Sequence, residues 1–96
     1  MYLLFDIGGT KTRLAFSEDG KTFEEPEIFL TSDNFEEGMA FIKKTGEKLA
    51  KGRKIKALAG GIAGSLDREK KKTLILPHLL GWQGKPLANH LREAFL

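Results

Sequence analysis

The chain begins with an apolar segment, a glycine pair and a second apolar segment. The first segment, Tyr2-Leu3-Leu4-Phe5, is continuous, which is typical of a strand that is buried on both faces. Gly8-Gly9 is a turn signal, and Leu14-Ala15-Phe16 has the composition of a partner strand. This order predicts an antiparallel hairpin with the glycine pair at its turn.

The next part of the chain predicts a third strand and a helix. Asp19-Gly20 indicates a second hairpin turn, and a strand is predicted within residues 23–30, where Pro26 points to an edge or a bulge. Asp33 is predicted to cap the helix, because Glu36 follows three residues later as in a capping box. The predicted apolar face of this helix, which its glycine weakens, comprises Phe35, Met39, Ile42, Gly46 and Leu49.

The second half of the chain alternates strands and helices. Gly52 is a plausible helix stop, a strand is predicted over residues 55–59, and a short hairpin over residues 67–76. A loop over residues 77–82 precedes a last helix that opens at Pro86. The resulting order, β-β-β-α-β-(β-β)-α, predicts an α/β fold with a mixed β-sheet and flanking helices. Because the last helix has no strand after it, residues 1–96 are expected to form an incomplete domain.

Composition narrows the classes of function. The chain has no cysteine, which excludes disulfides and thiolate metal sites and agrees with a cytoplasmic location. No apolar run approaches the roughly 20 residues that cross a bilayer, so no membrane partner is expected. Residues 18–37 are mainly acidic and residues 43–56 mainly basic. The basic stretch lacks interleaved aromatic residues for base stacking, so it is interpreted as a solvated helix face, and no nucleic-acid partner is expected.

The first hairpin carries the residue types that a phosphate site needs. Backbone N–H groups can point at an anion where a tight turn is free of Cβ bulk, and Gly8 and Gly9 meet that requirement. Thr10 adds a hydroxyl and Lys11 adds a cation. Asp6 is placed at the strand end, where a carboxylate can hold Mg²⁺ directly or through water.

Two familiar phosphate motifs are excluded. The P-loop has a glycine immediately before its lysine and a helix after it, whereas Thr10 precedes Lys11 and a strand is predicted to follow. The dinucleotide fingerprint G-x-G-x-x-G is not found either. The plainer alternatives are a glycine hairpin with a structural Asp6 and a solvated turn lysine at position 11.

Three stretches resemble motifs of one family. Asp6-Ile7-Gly8-Gly9-Thr10-Lys11 closely resembles the first phosphate motif of the sugar kinase, actin and Hsp70 superfamily, in the form typical of the ROK family (repressors, open reading frames, kinases). Residues 61–67 resemble that family's G-I-P-G-x-V-D loop, and residues 77–82 resemble its P-N-L-x-G-W loop. The resemblance covers the chain from Met1 to Leu96 and implies a ribonuclease H-like (actin-like ATPase) N-terminal domain.

The resemblance also implies ATP and Mg²⁺ as cofactors and a glucokinase-like transferase activity. By resemblance, Gly8, Gly9, Thr10 and Lys11 bracket the ATP phosphates. Asp6 then holds Mg²⁺ through water. Phosphoryl transfer depends mostly on positioning and charge neutralisation, which these residue types supply.

Three residues are implied as sugar contacts: Gly64, Ser65 and His78. Gly64 allows close approach, whereas a simple turn role for Ser65 is an equal alternative. His78 stands where the family usually has Asn, and a neutral imidazole offers one donor and one acceptor in place of the amide. Ala63 replaces the usual proline, which makes the loop less rigid.

Two other side chains have structural interpretations. Trp82 is predicted to be a packing anchor whose N–H is bonded to a carbonyl, and His90 is predicted to lie at the surface or core edge. No catalytic residue is expected in this chain. In the family, the catalytic Asp of an Asn-Asp motif follows the next strand and would act as general base.

Three functions are therefore weighed. The first is the N-terminal part of an ATP-dependent hexose or amino-sugar kinase that is inactive alone. The second is a sugar-responsive ROK transcriptional regulator, which is disfavoured because no helix-turn-helix segment precedes Asp6. The third is a non-catalytic binding or assembly fragment, which unpaired sheet edges would favour. A homo-oligomer remains open, as do the sugar and the length of the parent protein.

Overall fold

A computed structural model of the 96-residue chain describes residues 1–64, 72–74 and 76–96. In chain order the elements are β1 (Tyr2–Ile7), β2 (Lys11–Ser17), β3 (Glu27–Leu30), α1 (Phe35–Ala50), β4 (Ala57–Ile62), a 3-10 turn (Leu80–Trp82) and α2 (Leu87–Phe95). The hairpin predicted over residues 67–76 falls largely outside the described residues. Within the described ranges, no helix has the length and apolar character needed to cross a membrane.

The four strands form one mixed sheet in the order β3-β2-β1-β4. β1 is antiparallel to β2, with Asp6 opposite Arg13, and parallel to β4, with Asp6 beside Gly61. β2 pairs in turn with β3, which lies within the predicted residues 23–30, begins just after Pro26 and is an edge strand, as that proline indicates. The predicted mixed α/β architecture is confirmed, and the carboxyl ends of β1 and β4 lie at the same edge of the sheet.

The core lies between one face of the sheet and the two helices. Alternate residues of β1 and β2, such as Leu3 and Phe16, are buried against α1 and α2, as the period of a strand requires. Phe35 and Ile42 of α1 and Leu91 of α2 face them. The opposite face of the sheet, called the outer face below, carries Asp6 and the other residues that alternate with the buried ones.

Trp82 anchors the segment between β4 and α2. Its side chain is fully buried, packs edge-on against Phe35 with ring centroids 5.1 Å apart, and donates its indole N–H to the Ser32 carbonyl at 2.8 Å. Gly38 makes room for the ring, since a Cβ there would lie 2.4 Å from Cζ2 of Trp82. The predicted anchor with a satisfied N–H is confirmed.

The cap of α1 differs from the prediction by one residue. Asn34 is the N-cap, and its Oδ1 accepts the Glu37 N–H at 2.8 Å, so Asp33 with Glu36 does not form the predicted box. At the other end, Lys51 closes α1 in the left-handed conformation with φ 51°, and Gly52 follows with φ 81°. The N-cap is therefore one residue from its predicted position, whereas Gly52 lies at the predicted helix stop.

The start of α2 shows a similar shift. Pro86 is the N-cap of α2 and not its first helical residue, so the helix begins at Leu87. His90 lies at the core edge as predicted. Its ring packs edge-on against Phe35 with centroids 4.8 Å apart, and Nδ1 lies 3.0 Å from the Pro86 carbonyl oxygen.

Candidate phosphate site

The turn between β1 and β2 is closed at its base and fastened to the chain after β3. The Gly8 N–H donates to the Lys11 carbonyl at 2.9 Å. The Thr31 N–H donates to the Thr10 carbonyl at 2.9 Å, and the hydroxyls of Thr12 and Thr31 are hydrogen-bonded at 2.8 Å. Thr12 is fully buried. The tip of the hairpin is therefore held by hydrogen bonds within the hairpin and to Thr31.

Two consecutive N–H groups at this tip are free. In the described part of the chain, the backbone N–H groups of Gly9 and Thr10 have no hydrogen-bond partner. The Lys11 N–H points to the Gly8 side of β2, as its carbonyl does, and does not bond the Gly8 carbonyl. The side chains of Thr10 and Lys11 are exposed beside them. The Gly8 N–H donates within the hairpin, so Gly8 helps to form the turn and is not one of the free donors. A run of free N–H groups with a nearby cation forms the concavity that binds an anion.

Asp6 lies on the outer face at the end of β1. It is exposed, and it takes part in no ion pair with any residue that the structure describes. A Cβ added at neighbouring Gly61 would meet no atom within 4 Å, so that flank of Asp6 is open. The carboxylate is thus accessible and does not point into the apolar interior.

The surroundings of Asp6 fit a cation of one kind. Among the described residues, no three acidic or histidine side chains are placed to hold a metal ion together, so Asp6 would face the cation as a single carboxylate, through a water ligand. Mg²⁺ suits such a site, because it keeps several waters and combines one or two carboxylates with phosphate oxygens. A cation that needs a full protein cage does not fit.

Two of the three residues implied as sugar contacts, Gly64 and His78, lie near the same edge of the sheet. Gly64 follows β4, and the Ala63 N–H bonds the Ile7 carbonyl at 2.8 Å, which places this loop next to the end of β1. Gly64 has φ 147°, a conformation that suits glycine. Ser65 lies outside the described residues, so its predicted role stays a prediction.

His78 lies directly against the hairpin tip. A Cβ added at Gly9 would be 2.4 Å from the His78 Cβ and 3.3 Å from its carbonyl oxygen. A predicted sugar contact thus lies next to a predicted phosphate contact. No sequence signal points to this pairing, because the two residues lie far apart in the sequence.

Residues 31–33 are hydrogen-bonded to both the first hairpin and residues 77–82. Thr31 bonds the hairpin, the Ser32 carbonyl accepts the Trp82 N–H, and Asp33 accepts the Gly81 N–H at 3.3 Å through Oδ1. Sequence reasoning missed this role because Asp33 was assigned to the helix cap. Residues 31–33 therefore fix the hairpin relative to residues 77–82.

Comparison with known proteins identifies one matching family. The sequence model of the ROK family matches residues 2–96. ROK hexokinase from Thermus thermophilus has a similar structure, with a TM-score of 0.81 and 26% identity over 97% of this chain. No curated protein sequence matches significantly.

Two other solved structures share the fold at lower identity. A ROK family glucokinase from Streptomyces griseus in complex with glucose and AMPPNP has a TM-score of 0.79 at 24% identity over 95% of this chain. A sugar kinase structure from Cytophaga hutchinsonii has a TM-score of 0.77 at 22% identity over 99% of it. The chain spans 30% of the Streptomyces protein, 31% of the Thermus protein and 33% of the Cytophaga protein.

Proposed function

The chain belongs to the ROK family, and from that premise we propose that it is the N-terminal part of an ATP-dependent kinase that phosphorylates a hexose or amino-sugar. One observation carries the proposal: the free N–H groups of Gly9 and Thr10 at a rigid turn, with the exposed Asp6 at the end of the strand before it. This is the arrangement of donors that a terminal phosphate requires.

Each residue of the hairpin has a proposed role. The two N–H groups bind the oxygens of the terminal phosphates, and the Lys11 ammonium offsets their charge. Asp6 orients a water ligand of Mg²⁺ and leaves the other positions of the ion to phosphate and solvent. Mg²⁺ would neutralise charge on the phosphates, and the hairpin would position them.

The proposed sugar site adjoins the phosphate site. Gly64, Ser65 and His78 are the proposed contacts, and the loop after β4 lies at the sheet edge where β1 ends. The Streptomyces griseus glucokinase structure contains both glucose and AMPPNP, which supports the same pair of ligand classes for this chain. His78 stands where the family motif has Asn, so the preferred sugar is not carried over from that protein.

The general base is proposed to lie outside residues 1–96. The chain corresponds to about a third of the ROK structures that it resembles. The family resemblance implies that the Asn-Asp motif follows the next strand. The chain alone is therefore expected to bind phosphate without transferring it.

The test is an ADP-release assay across a panel of hexoses and amino-sugars. The chain alone should give no turnover, whereas the chain extended by its downstream coding sequence should release ADP with at least one sugar. The extended protein with Asp6→Asn serves as the control and should lose most of that activity. Turnover by the 96-residue chain would contradict the proposal that the general base lies outside residues 1–96. An inactive extended protein would contradict the kinase assignment.

An assembly role has support from a separate observation. Phe23, Ile28 and Leu30 are 62%, 49% and 74% exposed, which is unusual for large apolar side chains. Ile28 and Leu30 belong to β3, an edge strand of the sheet. Sedimentation velocity over a range of concentrations tests whether this fragment associates with itself.

A further inference from the structure

We propose that His78 contacts the phosphate as well as the sugar side of the site: its imidazole N–H donates to the anion held by the Gly9 and Thr10 amides. The inference rests on the proposed function, because it requires a phosphate at the hairpin tip. It adds a third kind of donor, a side chain from a distant segment, to the amides and to Lys11.

Distance is the first argument. A Cβ at Gly9 would lie 2.4 Å from the His78 Cβ and 3.4 Å from its Cγ, so the two backbones meet without an intervening side chain. The ring nitrogens are one and two bonds beyond Cγ. An anion on the Gly9 N–H would therefore lie within reach of the imidazole, and the missing side chain of Gly9 is what permits this approach.

The second argument is that the imidazole is free to bind. His78 is exposed, and among the described residues its ring nitrogens have no hydrogen-bond partner. His90, the only other histidine of the sequence, differs in both respects. It is half-buried, with Nδ1 3.0 Å from the Pro86 carbonyl and its ring against Phe35. His90 thus has a structural role, whereas the His78 imidazole has no partner among the described residues and is exposed at the candidate site.

The third argument is the rigidity of the turn that carries His78. The Leu79 N–H donates to the Leu76 carbonyl at 3.1 Å, and the Trp82 N–H donates to the Leu79 carbonyl at 3.0 Å. Leu76 and Leu79 are buried, and the Trp82 indole is bonded to Ser32. Because the turn is fixed before any ligand arrives, its backbone loses little conformational entropy when the imidazole binds.

The chemistry of the contact follows from the charge of the ligand. A neutral imidazole carries one N–H donor, and a protonated imidazole carries two. Hydrogen bonds to an ionised acceptor are shorter and about twice as strong as those between neutral groups. An Asn at this position would also supply a donor, but from a shorter side chain.

The experiment is an NMR titration of the 96-residue chain with pyrophosphate and Mg²⁺. The ring signals of His78 should shift along the same saturation curve as the Gly9 and Thr10 amides, and the ring signals of His90 should stay unchanged. His78→Ala should lower the affinity about tenfold, the size of one hydrogen bond to a charged group. His90→Gln is the matched control and should bind as the wild type does.

Two further measurements separate the possible outcomes. The Trp82 indole N–H signal reports whether the turn stays intact in His78→Ala, and His78→Asn provides a milder change with a donor retained. Unchanged affinity in both variants would overturn the inference but not the amide site. The same holds if, in a separate titration with glucose, the His78 ring signals shift with glucose and not with pyrophosphate. If the Gly9 and Thr10 amides of the wild type do not respond, the proposed function and this inference fall together.

Discussion

At the scale of single residues, the two glycines of the first turn have different roles. Gly8 donates its N–H inside the hairpin, whereas Gly9 leaves its N–H free and lies against His78. The sequence shows both as turn glycines and cannot separate them, because the distinction depends on a contact with a segment far along the chain.

This difference predicts the cost of a methyl group at position 9. Gly9→Ala places its Cβ 2.4 Å from the His78 Cβ, and neither atom can rotate away, so the hairpin or the 77–79 turn must move. The free energy of unfolding should fall by about 1–3 kcal/mol, the usual cost of overpacking. Urea unfolding of the 96-residue chain measures it.

Gly61→Ala is the matched control for that substitution. Its Cβ would meet no atom within 4 Å, so the added methyl group should change stability by no more than about 0.5 kcal/mol. Equal losses at positions 9 and 61 would contradict the close packing of Gly9 against His78.

At the scale of elements, α1 shows what a sequence pattern can and cannot specify. The period of its apolar residues predicts the helix and its buried face, and Phe35, Met39 and Ile42 are buried accordingly. Gly46 looks like a weak point of the helix by propensity alone. In the structure, Gly38 and Gly46 instead provide space for the aromatic rings of Trp82 and Phe95.

The two helix glycines should respond differently to alanine. At Gly38 the new Cβ would lie 2.4 Å from Trp82, which is fully buried and hydrogen-bonded, so the ring cannot move away. At Gly46 it would meet the far edge of Phe95, at the end of α2, which has more freedom to turn. Gly38→Ala should cost about 1–3 kcal/mol in urea unfolding, and Gly46→Ala distinctly less.

A smaller loss at position 38 than at position 46 would show that Trp82 is not the rigid anchor described above. Helix propensity is the same for both substitutions and favours alanine by about 1 kcal/mol, so it cancels in the comparison.

The positions of elements could be predicted better than their boundaries and contacts. The hairpin, α1 and α2 lie where strand and helix periods place them, whereas β4 covers Ala57–Ile62 and not the predicted residues 55–59. The cap of α1 was missed because Asp33 and Asn34 are both good N-cap residues. Asp33 instead accepts a tertiary hydrogen bond from the Gly81 N–H, and Asn34 caps the helix. The candidate site was predicted in its residue types, whereas the proximity of Gly9 to His78 required the structure.

At the scale of the whole molecule, the separated charges of the sequence meet in space. Arg53 from the basic stretch binds Glu24 at 2.7 Å and Glu18 at 2.9 Å from the acidic stretch, and its guanidinium carbon lies 5.6 Å from the centre of the Phe16 ring. These contacts tie the chain after α1 to the long loop between β2 and β3. The remaining lysines of the basic stretch are exposed, as the solvated-face interpretation predicts.

The Arg53 contacts predict a pH-dependent contribution to stability. The hydrogen bond from Arg53 lowers the pKa of Glu24 below its ordinary value of 4.5. A carboxyl whose pKa is lowered by folding stabilises the fold above that ordinary value, and the contribution is lost as the pH falls through the folded-state pKa. The urea midpoint of Arg53→Gln should therefore lie below that of the wild type at pH 7, and the gap should narrow as the pH falls below 4.5.

Lys48→Gln is the control for this measurement. Lys48 forms an ion pair with Glu27 at 3.1 Å, but its side chain is 72% exposed, so its removal should have little effect at either pH. A gap between Arg53→Gln and the wild type that is as wide at pH 3 as at pH 7 would contradict a contribution from the ion pairs. It would assign the contribution to the packing of Arg53 on Phe16 and to its hydrogen bonds with the Leu49 and Ala50 carbonyls.

The hairpin amides are tested most directly by a crystal structure of this chain with Mg²⁺ and AMPPNP. The account predicts terminal phosphate oxygens within hydrogen-bond distance, about 2.7–3.2 Å, of the Gly9 and Thr10 nitrogens. It also predicts that Asp6 faces the metal through a water molecule. A nucleotide bound elsewhere, or phosphates that leave these two N–H groups without a partner, would contradict it.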